Sequence, residues 1–172
     1  MKTEEGNELL GQTTSFLSFK LDSEHFAIPV MKIMEILEVP KITKVPQAPI
    51  FLVGVINLRG AVLPVIDTRV KFGMNPIDFT IDTCILVVNI KYNDEEIMVG
   101  ALVDFVSEVF DYDERKIKPS PTIVTKYRAD YIEGMIQEDD HFMMVLNIDK
   151  VFSLNDLESI TDTKIEKTEE LI

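Results

Sequence analysis

The residues best suited to chemistry are few in this chain and far apart in the sequence. His25 and His141 are the only histidines, and neither lies near a serine or cysteine that would make a plausible nucleophile. The sequence also contains no G-x-S-x-G motif, no Walker glycine loop and no dinucleotide-binding fingerprint. Both histidines lie beside predicted turns, so we expect solvated surface histidines and assign no catalytic residue.

Acidic residues cluster in three places that suggest calcium binding. The clusters are Asp94–Glu96, Asp111 with Asp113, and Glu138–Asp140. None has the alternating oxygen ligands and the central glycine of a calcium-binding loop. Charged turns are usually solvated, so the sequence predicts no metal site and no cofactor.

Four further carboxylates lie at the ends of predicted strands and leave one enzymatic alternative open. They are Asp67, Asp82, Asp104 and Asp149. Paired carboxylates can perform acid–base chemistry, although the sequence shows no partner residues for them. The alternative to a non-catalytic binding protein is therefore a small-ligand-binding or enzymatic β-barrel that uses a carboxylate in one lobe.

Composition limits the partners and the compartment. The formal net charge is −13, most of it in the body of the chain, which opposes binding to nucleic acid or to anionic lipid. The single cysteine, Cys84, cannot form an internal disulfide and begins an apolar run, where we expect a small buried hydrophobe. No segment resembles a signal peptide and no run reaches transmembrane length, so we expect a cytoplasmic protein without direct membrane insertion.

The elements that position these residues occur in two copies. Residues 51–72 and 131–152 align without a gap at a spacing of 80, and Gly54 then matches Gly134. Two upstream pairs of segments follow the same order, namely 16–21 with 85–90 and 33–36 with 106–109. The two copies are too short to be confident separate domains, so we expect two small barrels packed as one unit.

The centre of each aligned segment is a polar break between two apolar runs, which indicates two strands joined by a tight reversal. The first break is Asn57–Gly60 and includes Arg59, whereas the second carries Glu138–Asp140. Hairpin geometry does not require an arginine at this position. We therefore interpret Arg59 as a functional addition on a loop.

Alternating apolar residues and proline breaks predict ten short strands. The predicted strands are 16–21, 25–30, 33–39, 53–58, 61–66, 84–91, 96–103, 105–111, 131–137 and 141–147. Short helices are predicted at 68–73 and 149–160, the second with Ser153 and Asp156 as a possible capping pair. Residues 1–14 are polar and expected to be flexible, and the tail from Thr161 has only a weak helical pattern.

Several motifs resemble the signature of CheW, the bacterial chemotaxis coupling protein family. They are Val55–Gly60, Pro64–Asp67 and Arg69, supported by Phe26–Val30, Ile33–Ile36, Gly100–Asp104 and Val106–Val109. The resemblance covers about residues 16–158. We therefore expect a CheW-like domain over 15–158, between a flexible segment 1–14 and a tail 159–172.

The resemblance implies a mainly β fold of two interlocked five-stranded SH3-like barrels with short helices, one of them near the C-terminus. It implies a non-catalytic adaptor that couples the cytoplasmic tips of methyl-accepting chemotaxis receptors to the regulatory domain of the histidine kinase CheA. Such a protein is recruited to membrane receptor arrays through its partners, with other CheW-like domains as neighbours. The family's receptor-binding surface corresponds to Ile33, Glu35, Gly54, Val55, Asn57 and Arg59; the kinase-binding residues are unknown.

The motif residues differ in how well a structural role explains them. Gly54 has a counterpart in the second copy, so close backbone approach explains it as well as partner binding does. Ile33, Val55 and Leu58 are apolar and equally suited to a core. Arg59 has no counterpart, and we predict that it lies beside Glu35 on one exposed face, flanked by Ile33 and Val55.

Overall fold

The computed structural model describes residues 12–121 and 131–152, and these form two β-sheets with very short helices. The strands are β1 (Thr13–Leu21), β2 (Glu24–Pro29), β3 (Ile33–Glu38), β4 (Leu52–Leu58), β5 (Ala61–Asp67), β6 (Cys84–Tyr92), β7 (Glu95–Val103), β8 (Phe105–Asp113), β9 (Ile132–Glu138) and β10 (His141–Leu146). Helix α1 spans Thr68–Lys71, α2 spans Ile148–Val151, and 3-10 turns cover Val30–Lys32 and Glu114–Lys116. All ten predicted strands are confirmed, with boundaries shifted by a few residues at most.

The first predicted helix is shorter than the sequence indicates, and most of the second lies outside the described residues. The first ends at Lys71 rather than at 73, and the second begins at Ile148. The expected capping pair of Ser153 with Asp156 and the tail from Thr161 lie outside the described residues.

Each sheet is assembled from both halves of the chain. The first sheet has the order β8-β1-β2-β10-β9, and the second has the order β3-β6-β7-β5-β4. The second sheet therefore takes three strands from the first half and two from the second, and the first sheet does the reverse. In both sheets one parallel pairing, β2 with β10 or β7 with β5, joins the halves. This exchange of strands makes the two barrels interlocked.

The central strands are buried on both faces because they contribute to two kinds of core. On β1, Leu17 and Phe19 enter a core that also contains Leu86 and Val88 of β6, so this core lies between the two sheets. Smaller clusters fill each barrel, and Phe16 points into the one formed with β9 and β10. One face of β1 therefore stabilises its own barrel, and the other face stabilises the packing of the two barrels against each other.

The helices that follow β5 and β10 occupy equivalent places but use opposite charges. The Arg69 guanidinium on α1 is 6% exposed, and its Nη1 donates to Asp22 at 2.7 Å and to Asp104 at 2.5 Å. At the matching position on α2, Asp149 accepts from Lys32 Nζ at 3.0 Å and from the Lys91 amide at 2.9 Å. The two copies therefore build the same type of polar link between elements with the signs exchanged.

The aligned segments 51–72 and 131–152 form equivalent strand–reversal–strand units, as predicted. Gly54 pairs with Val65 in the first, and Gly134 pairs with Val145 in the second, so the spacing of 80 holds across both ladders.

The half-buried Cys84 begins β6 and packs against the core between the sheets. Burial raises the pKa of the Cys84 thiol, with a smaller effect from Asp82, which opposes thiolate reactivity.

Candidate functional site

The first reversal, between β4 and β5, is held by its own asparagine. Asn57 Oδ1 accepts a hydrogen bond from the Gly60 amide at 2.7 Å, which closes the turn. Arg59 at φ 51° and Gly60 at φ 87° both have left-handed backbones, which is the pattern of a type I′ turn in a two-residue hairpin loop. The turn therefore presents the Arg59 side chain outward, and that side chain is 76% exposed.

An ion pair with Glu35 holds one end of this guanidinium. Arg59 Nη2 donates to Glu35 Oε1 at 2.9 Å and to Glu35 Oε2 at 2.8 Å, so the predicted proximity of the two side chains is confirmed. Glu35 lies on β3 and is 28% exposed. Because β3 and β4 are opposite edges of the same sheet, the pair links the two edges of the barrel. Exposed pairs of this kind add only about 0–1 kcal/mol to stability, so the fold gains little from it.

Much of the guanidinium remains available for other contacts. Both bonds to Glu35 use Nη2, and neither Nε nor Nη1 forms a hydrogen bond to any residue within 12–121 or 131–152. Glu35 thus limits the rotation of the arginine while leaving donors exposed. A planar, permanently charged group with donors on two edges is suited to binding a carboxylate, an amide or a carbonyl of a partner.

Gly54 is explained by packing. It is buried, and a Cβ at this position would lie 2.3 Å from the Thr43 carbonyl oxygen. Its twin, Gly134, has the same constraint, since a Cβ there would lie 2.7 Å from the Lys118 carbonyl oxygen. Both glycines allow a neighbouring backbone segment to pair with the strand, through the bridges at Thr43 and at Lys118.

The predicted apolar flanks of the ion pair are half-buried. Ile33 packs against the core between the sheets, and Val55 forms backbone hydrogen bonds with Thr43 at 2.8 and 2.9 Å. The exposed large apolar residues on β3 itself are Met34 and Ile36, at 58% and 48%. The alternation of side chains along β3 places them on the face opposite Glu35.

Sequence reasoning also missed Val62. It lies directly across the ladder from Asn57 and is 61% exposed. A reversal centred on 59 and 60 pairs these two positions, so the turn itself contained the signal. Asn57, Arg59 and Val62 therefore share the exposed tip of the β4–β5 hairpin, which we call the first tip.

Three of the four carboxylates proposed for an enzymatic alternative have structural partners, namely Asp67, Asp104 and Asp149. Asp67 caps α1 by accepting from the Arg69 amide at 2.9 Å, and burial raises its pKa despite these hydrogen bonds. Asp104 and Asp149 belong to the two polar links described above, at Arg69 and at Lys32.

A cleft of about 700 Å³ beside β3 is lined mainly by apolar residues, with Glu38 as its one carboxylate. The paired carboxylates that acid–base chemistry needs do not converge there, and the enzymatic alternative has no support.

The second reversal, between β9 and β10, brings together the two histidines that the sequence analysis treated as separate and solvated. His141 Nε2 lies 3.0 Å from Glu138 Oε2, and His25 Nδ1 lies 3.7 Å from the same oxygen. The rings of His25 and His141 are 5.1 Å apart. A hydrogen bond with Asp140 and the charge of Glu138 raise the pKa of His141. These three side chains can hold a cation, and Glu138 belongs to one of the acidic clusters for which the sequence predicted no metal site.

Among the residues that the structure describes, no helix is both long and apolar enough to span a bilayer.

Comparison with known proteins identifies similarity over most of the chain. The family model for the CheW-like domain matches residues 15–156. The chemotaxis protein CheW of Klebsiella aerogenes is 30% identical over 153 residues, which cover 88% of this chain and 90% of the relative. The chemotaxis protein CheW of Helicobacter pylori is 32% identical over 151 residues, covering 87% and 86%.

A solved structure extends the similarity to three dimensions. The crystal structure of the scaffolding protein TtCheW from Thermoanaerobacter tengcongensis matches with a TM-score of 0.72 and 31% identity. The match covers 83% of this chain and 90% of that one. Together with the two five-stranded sheets, it confirms the predicted fold of two interlocked SH3-like barrels.

Proposed function

The chain belongs to the CheW family of chemotaxis adaptor proteins, and from that membership we propose that it joins chemoreceptors to the histidine kinase CheA. In this proposal the cytoplasmic helical tip of a methyl-accepting receptor binds one surface and the regulatory domain of CheA binds another. The protein works in the cytoplasm and reaches the membrane array through these partners, with other CheW-like domains as neighbours.

One observation carries the receptor assignment, and it is the ion pair between Arg59 and Glu35. The pair holds an exposed guanidinium in one orientation at the first tip, at almost no gain in stability. The twin position in the second copy is Asp139, so the reversal forms without an arginine. An ordered, exposed cation that the fold does not need is best explained by binding.

The receptor-binding surface that we propose is centred on Arg59, with Asn57, Val55 and Ile33 around it and Gly54 beneath. In the desolvated centre of an interface an arginine anchor can contribute about 2 kcal/mol or more, which is about thirtyfold in affinity. Glu35 would act by holding the guanidinium fork, so that less rotational freedom is lost on binding.

We further propose that the protein has no catalytic activity of its own. Purified protein should show no hydrolase or transferase activity, and kinase activation should require receptor and kinase together. Nucleotide turnover that a point substitution in this chain abolished would contradict the adaptor function.

The decisive experiment compares binding of Arg59→Ala to each partner separately. Titrations with a receptor cytoplasmic fragment should show affinity reduced by about thirtyfold, because the anchor is lost. Titrations with the CheA regulatory domain should be unchanged, and the thermal midpoint should move little.

Arg115→Ala is a matched control for this experiment. Arg115 is also exposed and also forms a double contact with a carboxylate, through Nε at 3.1 Å and Nη2 at 2.8 Å to Asp113. It lies on the other barrel, after β8, so its removal should leave receptor binding intact. Equal losses for both partners, or equal effects of both substitutions, would contradict the assignment of Arg59.

A further inference from the structure

We propose that His25, Glu138 and His141 form a zinc-binding site at the second reversal. His25 is the second residue of β2, while Glu138 and His141 flank the turn between β9 and β10. One potential ligand atom from each residue can be chosen so that all three lie within 4.8 Å of one another. Two ligands of a tetrahedral zinc ion, with bonds of about 2.0–2.1 Å, are about 3.3 Å apart. Small side-chain rotations therefore bring the cluster to the geometry that the ion requires.

The ligand set favours zinc over the common hard cations. Two imidazole nitrogens and one carboxylate oxygen are ligands typical of Zn²⁺, whereas Ca²⁺ and Mg²⁺ prefer oxygen alone. Three protein ligands leave one coordination position for water or for an exchangeable donor. The side chains of His25 and Glu138 are 23% and 29% exposed, so the site is accessible but partly removed from solvent.

An outer carboxylate orients one of the ligands. Asp140 Oδ1 lies 3.3 Å from His141 Nδ1, while His141 Nε2 faces Glu138. This is the arrangement in which a carboxylate fixes the tautomer and ring orientation of a metal-bound histidine. Asp140 is thus a positioning residue in the proposed site.

The other copy shows that the fold does not require these polar residues. The spacing of 80 matches Glu138 with Leu58 and His141 with Ala61. The parallel ladders pair Val145 with Ala27 and Val65 with Gly100, which makes His25 equivalent to Met98. One barrel therefore has methionine, leucine and alanine where the other has two histidines and a glutamate. The structural requirement at these positions is met without any metal ligand.

The location indicates what bound zinc would do. The parallel pairing of β2 with β10 comprises only Phe26–Met144 and Ala27–Val145. Zinc would tie the first residues of β2 to the tip of the β9–β10 hairpin, just beyond the end of this short ladder. Because the ion would bind the folded state, it should raise the thermal midpoint of the protein.

The test is a titration of the untagged full-length chain with zinc chloride in a weakly coordinating buffer, followed by calorimetry and by thermal melting. We expect one zinc per chain with a dissociation constant in the micromolar range or below, and a higher melting temperature. Cobalt substitution should give the visible absorption of a tetrahedral Co²⁺ site. Calcium and magnesium should produce neither effect.

Variants taken from the other copy remove the ligands with little risk to the fold. Asp140→Asn should weaken zinc binding by about tenfold to hundredfold, the loss typical when a residue that orients a ligand is removed. Because they remove ligands themselves, His25→Met, Glu138→Leu and His141→Ala should each weaken it further. Asp139→Asn, at the same turn but outside the cluster, is the matched control and should bind zinc normally. An absence of saturable binding up to about 1 mM zinc, or binding that survives His141→Ala, would overturn the proposal.

Discussion

The two reversals of this molecule have the same length, but they differ in side chains and at one backbone position, since Gly60 is left-handed and Asp140 is not. Both follow a strand with a buried glycine, and both have a left-handed residue at the same position, Arg59 in one and Asp139 in the other. The first presents one cation held by a carboxylate from β3, whereas the second gathers two histidines around a carboxylate. The shared features are those on which the barrel depends, and the features that differ lie at the exposed tips. We therefore expect substitutions at the tips to cost the fold less than substitutions of the shared glycines.

The largest effect that tests this comparison concerns the shared glycines. Gly54→Ala and Gly134→Ala should each destabilise the protein by about 3 kcal/mol or more, because each new Cβ would collide with a backbone carbonyl. Denaturant unfolding measures the loss. Gly60→Ala is the control: its Cβ would meet open space, so only the positive φ opposes it, at about 1 kcal/mol. A mild effect at Gly54 or Gly134 would show that the twin glycines are not packing requirements.

The second prediction compares the two polar links that have exchanged signs. Arg69→Met should cost about 3 kcal/mol, because it leaves Asp22 and Asp104 close together without their buried cation. Asp149→Asn should cost about 1 kcal/mol, because Lys32 is partly exposed and can be solvated. The free energies of unfolding of the two variants, measured under the same conditions, give the difference between the two losses. Equal losses would mean that burial does not distinguish the two links.

The third prediction transfers a residue from one tip to the other. Arg59→Asp installs the side chain of the second copy, and we expect a loss of stability of about 1 kcal/mol, since an ion pair at the surface is replaced by weak repulsion between the new carboxylate and Glu35. Receptor-fragment binding should nevertheless fall at least as far as in Arg59→Ala. Asp139→Arg, the reciprocal change, should not create a second receptor-binding tip. A thermal melt beside each binding titration separates the two effects, and unfolding of Arg59→Asp would refute the comparison.

The smallest expected effect is a shift in the pKa of His141, at the second reversal. In metal-free protein the pKa of His141 should exceed the usual 6.5, mainly through its hydrogen bond with Asp140. A pKa that is higher in the folded state means that this group stabilises the fold below the unfolded pKa, and that the contribution is lost as the pH rises through the folded value. NMR titration of the His141 ring measures it, and Asp140→Asn should lower the value. An unchanged pKa in that variant would remove Asp140 as the cause.

The strands and the first tip could be predicted because their signals are local. Alternating residues, proline breaks and the ungapped repeat located ten strands, and the resemblance placed Glu35 near Arg59. The histidine cluster could not be predicted in this way, since His25 and His141 are 116 positions apart and meet only through the parallel pairing of β2 with β10. Val62 was not predicted because it lies outside the motif, although the turn pairs it with Asn57. The link at Arg69 was missed because its two aspartates come from distant turns.

Because strands are exchanged between the sheets, neither barrel can be expressed as a separate, continuous piece of the chain. The connection from residue 74 to residue 83 contains no helix or strand, and it is where one half passes to the other. A chain cut there would yield two fragments, and neither would contain all five strands of either sheet. Each fragment alone should remain unfolded, while co-expression should restore one molecule by complementation. By the same logic, two intact chains could exchange halves at unchanged contacts and form a swapped dimer. A chain split at this connection would therefore serve as a complementation reporter, since its halves would fold together when the two proteins fused to them interact.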